Sequence, residues 1–80
     1  MRSVETQAAA LAALLAAATG TEPRLVSTVD GIRIEADLPA ELAATRHAAI
    51  LGALSQGARY GHLRTHDGDT VWVEIDKDSR

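Results

Sequence analysis

From Ala8 to Ala18 every residue is Ala or Leu, and no charge falls between Glu5 and Glu22. Ala and Leu are the strongest helix formers, so this run predicts a first helix. Ser3 and Thr6 are its candidate caps, Glu5 lies in the first turn where the helix dipole favours negative charge, and Gly20 ends it. The helix interior has no polar face that demands water, so it is expected to be covered on two sides. One cover is the chain's own sheet and the other a second copy, with Leu11, Ala12, Leu15 and Ala16 as the expected dimer seam.

After Glu22-Pro23 the period changes to two. Arg24–Val29 and Ile32–Asp37 flank Asp30-Gly31, a strong hairpin signal because both turn residues tolerate positive φ. A two-residue loop there sets Val29 opposite Ile32. It gathers Leu25, Val29, Ile32, Ile34 and Ala36 on one face, with Arg33, Glu35 and Asp37 on the other.

Leu38-Pro39 ends this strand, and Pro39 or Ala40 opens a second helix with Glu41 in its first turn. Leu42, Arg46, Ala49, Ile50, Ala53 and Leu54 share one face of it, and Gly57 terminates it. In the last hairpin Val71, Val73 and Ile75 alternate with Trp72, Glu74 and Asp76. Its partner strand is ambiguous, because Leu63 and Thr65 point one way and Tyr60, His62, Arg64 and His66 the other. Pairing Leu63 with Val73 calls for a longer loop than in the first hairpin. Residues 77–80 are a polar tail expected to fray.

The chain also nearly repeats itself. Leu14, Gly20, Thr28 and Asp30-Gly31 match Leu51, Gly57, Thr65 and Asp67-Gly68; after two extra residues, Ile32, Ile34, Glu35 and Asp37 match Val71, Val73, Glu74 and Asp76. The predicted fold is α+β: a tandem αββ-αββ repeat forming a four-stranded, mostly antiparallel sheet with two helices packed on one face. It makes a single small domain over 1–80, with one repeat at about 4–38 and the other at about 39–76. Strand order stays open. The hairpins join at Arg24–Val29, at Tyr60–Thr65, at the two acidic strands, or across a dimer.

Eighty residues support only a thin core, and this one has sixteen Ala, no Phe and a single Trp. Ala removes little apolar surface from water, whereas a large aliphatic side chain contributes ~1.5–3 kcal/mol on full burial. With no cysteine to cross-link it, self-association is the remaining stabiliser, which again argues for a homodimer. A net charge of −3 disfavours nucleic acid and anionic membranes, which attract basic surfaces.

The absence of Cys and the reading of the N-terminal run as a folded helix, too short to span a bilayer, point to the cytoplasm. Seven Arg against one Lys, with this much Ala, suggest a high-GC bacterial source.

Candidate chemistry is sparse. His62 and His66 on one strand stand ~13 Å apart, too far to share a metal, and His47 lies on another element. Asp67-Gly68-Asp69 begins like a calcium loop but lacks its spacing and closing Glu. Ser3, Ser27, Ser55 and Ser79 sit in no nucleophile or phosphate-binding motif. No enzyme activity, metal or cofactor is expected.

Glu35, Glu74, Asp37 and Asp76 are expected to pair with Arg33 and Arg64 across strands or to be solvated. Trp72 alternates outward, and with Arg64, His62 and Arg33 it forms the candidate surface for an unidentified protein partner, Trp and Arg being enriched at interface centres. The chain thus reads as a small non-catalytic interaction or regulatory module. The alternative is DNA binding: the run from Glu41 to Ile75 looks like a recognition helix followed by its wing, using helix 41–55 and hairpin 60–75.

Overall fold

The computed structural model describes residues 3–39, 44–66 and 68–76. Its elements follow in the order α1 (Val4–Thr19), β1 (Arg24–Ser27), β2 (Gly31–Asp37), α2 (Ala44–Leu54), β3 (Arg59–Thr65) and β4 (Gly68–Asp76). The architecture is α+β, with a four-stranded sheet antiparallel throughout. The expected second-helix start at Ala40, with Glu41 and Leu42, lies outside the described residues, as do Asp67 and the tail at 77–80.

Ser3 caps α1, its Oγ accepting the Thr6 N–H at 3.1 Å. Gly20 closes the helix in the left-handed region at φ 78, its N–H donating to the Ala16 carbonyl at 2.8 Å. The helix has an inner side made of Ala8, Leu11, Leu15, Ala18 and Thr19. The Thr19 hydroxyl is buried and donates to the Leu15 carbonyl at 2.8 Å, which offsets its desolvation.

This placement takes Leu11 and Leu15 out of the expected dimer seam. Leu11 and Leu15 are 4% and 0% exposed within a single chain, and Ala12 and Ala16 are half-buried. The outward positions are Ala9, Ala10, Ala13, Leu14 and Ala17. With Ala on nearly every side, only the placement of Leu marks the inner face, and Leu14 falls outside it.

Both hairpins turn on a Thr and a Gly. Thr28 donates its backbone N–H to the Gly31 carbonyl at 2.8 Å, and its hydroxyl accepts the Gly31 N–H at 3.0 Å. The loop is therefore Val29-Asp30 rather than Asp30-Gly31, and Ile32 faces Ser27 rather than Val29. Gly31 does not have positive φ; among the described residues only Gly20 and Gly68 do. The shift is by two residues, so it keeps Leu25 on the Ile34 face, as the alternation requires. Val29 itself is 92% exposed at the tip.

In the second hairpin Thr65 faces Gly68, and Leu63 faces Thr70 rather than Val73. Gly68 adopts φ 137, a conformation that suits only glycine. The two extra residues thus lengthen the strands and not the loop. The odd shift in register reverses the faces of β3: Tyr60 and His62 lie opposite Val73 and Val71, whereas Gly61 lies opposite Trp72.

The strand order is β1-β2-β4-β3, so the hairpins join at the two acidic strands within one chain. Those strands carry the cleanest apolar alternation, and the central position covers both of their edges. Their register sets Ile32 opposite Ile75, Ile34 opposite Val73, and Ala36 opposite Val71. These side chains join Ala8, Leu11, Leu15 and Ala18 of α1, and Ile50, Ala53 and Leu54 of α2, in one apolar core. Ala49, expected on the buried face of the second helix, is exposed.

Candidate functional site

On the face of β2 and β4 opposite the apolar pairs, the charges answer one another. Arg24 reaches Glu35 at 3.8 Å and Asp37 at 3.2 Å. Arg59 makes the corresponding contacts from the other edge, to Glu74 at 2.9 Å and Asp76 at 2.7 Å. Between them Arg33 bridges Glu35 at 2.9 Å and Glu74 at 3.3 Å. Arg64 was the expected second partner of these carboxylates; instead it pairs with Asp69 at 3.3 Å.

Hydrogen bonding from Arg24, and then from Thr70, holds the Asp37 carboxyl below its ordinary range. Hydrogen bonds to Asp37 and Asp76 raise Arg24 and Arg59, respectively. These pairs are largely open to solvent, so each contributes modestly and orders the surface more than it stabilises it.

Trp72 lies at the centre of this network. The Arg33 Cζ stands 4.3 Å from the ring centroid, a cation–π contact. Across β3 the ring covers Gly61 so closely that a Cβ there would come within 2.6 Å of it. Of the four residues expected to form one partner surface, the sheet brings Arg33 and Trp72 together. His62 and Arg64 lie on the other face, opposite Val71 and Asp69, and His62 stands 3.6 Å from Asp69. The Trp72 surface is half-buried, and its charges are matched internally.

Among the described residues, two recesses have mainly apolar walls. One, of about 400 Å³, runs between the helices and is lined by Leu14, Ala17, Ala49, Gly52 and their neighbours. Gly52 stands inside α2 with nothing within 4 Å of where a Cβ would be. The other, of about 120 Å³, lies between α2 and β3, and its walls are almost wholly apolar. Ile50, Leu51 and Leu54 form its helical side, with Tyr60, His62 and Val71 on the strand side. The sequence hinted at Leu51, one position off the buried stripe of α2. Tyr60 enters this recess only through the register of β3.

Among the described residues no three His, Asp or Glu side chains gather as ligands for a metal ion, and no helix is long and apolar enough to cross a membrane. Comparison with protein-family models, with curated proteins and with solved structures finds no match to this chain.

Proposed function

We propose that this chain is a small non-catalytic interaction module, built from two αββ units with both helices on one face of the sheet, that works as a homodimer. Support for the duplication comes from the ion pairs: Arg24 with Glu35 and Asp37 on one side matches Arg59 with Glu74 and Asp76 on the other. The matched residues Ile34 and Val73 face each other at the centre, where a local twofold axis would pass. Support for the helix placement is the single core that both helices share with Ile34, Ala36, Val71 and Val73.

The observation that carries the dimer is Gly52. A glycine inside a helix costs ~0.5–1 kcal/mol relative to Ala, and no neighbour in its own chain requires one there. It opens onto the uncharged groove with Leu14, Ala17 and Ala49. A groove without charge suits the same groove on a second copy, and small side chains let two helix layers approach closely. The DNA-binding alternative has less support, because β4 is bonded to β2 as well as β3 and so does not project as a wing.

Sedimentation equilibrium at high micromolar concentration tests this reading. The expected mass is twice the 8.4 kDa of one chain. Ala17→Arg, at an exposed position of α1 in this groove, is expected to return it to one chain with unchanged helix content. A clean single-chain mass for the native protein would overturn the dimer.

A further inference from the structure

The strand order leaves β3 at one edge of the sheet. From Arg59 to Thr65 it runs in unbroken register against β4. Alternate N–H and C=O groups of such an edge point away from the sheet and form a template for another extended segment. The usual protections are few here: the strand has no proline and is seven residues long, against four for β1 at the opposite edge. It carries Arg59, His62 and Arg64 and no acidic residue.

The smaller apolar recess flanks this same edge. Tyr60 and His62 line it from β3, and Ile50, Leu51 and Leu54 line it from α2. Leu51 and Tyr60 are 48% and 51% exposed, so its rim is open. Its volume is about 120 Å³, and an apolar cavity of ~150 Å³ takes up benzene. One aliphatic side chain fits that space. His47 and His62 line it, and Arg64, two residues beyond His62 on the same face of β3, has a 79% exposed side chain that touches Asp69 at 3.3 Å. Arg59 is already engaged by Glu74 and Asp76.

We propose that the β3 edge and this recess together form a docking groove for an extended peptide of another protein. The peptide adds beside β3 as a fifth strand and sets one aliphatic side chain into the recess. It carries Asp or Glu two residues away on the same side, facing Arg64 and the histidines. Main-chain hydrogen bonds to the edge supply affinity, and the pocket for an alternate side chain supplies selection. Charge complementarity gives the class of partner: Arg64 is 79% exposed and touches Asp69 at 3.3 Å, and a guanidinium has donors enough to take a peptide carboxylate as well, so the edge favours an acidic strand with an apolar anchor. The groove is separate from the helix–helix recess containing Gly52, so its failure would leave the dimer standing.

Selection of random seven-residue peptides on the native protein, followed by amide chemical-shift titration with an enriched peptide, tests this assignment. The expected selection is for an aliphatic residue with Asp or Glu two positions away. Shifts are expected along residues 59–65 and at Ile50, Leu51 and Leu54. Leu51→Asp is expected to weaken binding about tenfold or more while the amide spectrum away from the groove stays that of the folded protein, and Arg64→Glu to abolish the acidic preference. The proposal is overturned by no enrichment, by enrichment of basic peptides, or by shifts confined to β1 or to the Leu14–Gly52 groove. Shifts of the β3 amides on concentrating the protein alone would assign the edge to a second copy instead, and would equally overturn it.

Discussion

Replacing Gly52 with Ala separates the stability of the chain from its self-association. Gly52 lies in the last turn of α2, where its carbonyl accepts the Ser55 hydroxyl at 2.8 Å and the neighbouring Leu51 carbonyl accepts the Ser55 N–H at 3.0 Å. A Cβ added there meets nothing within 4 Å. The methyl group therefore neither clashes nor gains packing in a single chain, and the change reduces to helix propensity, ~0.5–1 kcal/mol in favour of Ala. For a domain of this size that raises the thermal midpoint by ~2–8 °C.

In the proposed dimer the same methyl enters the groove beside Leu14, Ala17 and Ala49. Overfilling a packed contact costs ~1–3 kcal/mol, a weakening of association by roughly 5–150-fold. Thermal unfolding of dilute protein and sedimentation across a concentration series read the two effects apart. A loss of stability in the dilute protein would show that Gly52 is required inside the chain. A gain in stability with unchanged association would remove the helix layer as the seam.

Gly57→Ala is expected to act in the opposite direction, because a Cβ there overlaps the buried Val73 side chain and comes within 2.9 Å of the Glu74 carbonyl oxygen; a loss of ~1–3 kcal/mol should appear in urea melts, and a neutral variant would contradict the packing. Trp72→Ala removes a half-buried ring under Arg33 and over Gly61; the expected loss of ~1–2 kcal/mol lies below the ~3–5 of a fully buried Trp, and native emission near that of free indole would contradict the contact. The folded Asp37 pKa lies below its ordinary value near 3.8, so its contribution is complete above that value and is lost as pH falls through the folded one. Urea midpoints of the native protein and Asp37→Asn should therefore differ by a constant amount above ~pH 5 and converge below ~pH 4, and a gap that persists under strong acid would contradict the Arg24–Asp37 pairing.

The sequence alone determined the elements whose signals are local. The Ala-Leu run from Ala8 to Ala18 consists of the strongest helix formers, with a cap at Ser3 and a stop at Gly20, and α1 spans Val4–Thr19. Ile32, Ile34 and Ala36, like Val71, Val73 and Ile75, alternate with polar residues, and period two allows one pairing parity once a face is buried. Trp72 followed the same rule and lies opposite its Val neighbours. Tertiary structure decided which equal choices were taken. Tyr60 and Leu63 are 51% and 52% exposed, so neither face of β3 holds a strong apolar claim, and closure at Thr65 and Gly68 fixed the register instead. That register placed Tyr60 and His62 beside α2 and left Gly61 under Trp72. α1 posed the same difficulty, because Ala is nearly neutral between core and water. Its inner side was set by how Leu11 and Leu15 fit into the core they share with Ile34 and Val73, a long-range packing preference that no local pattern of residues carries.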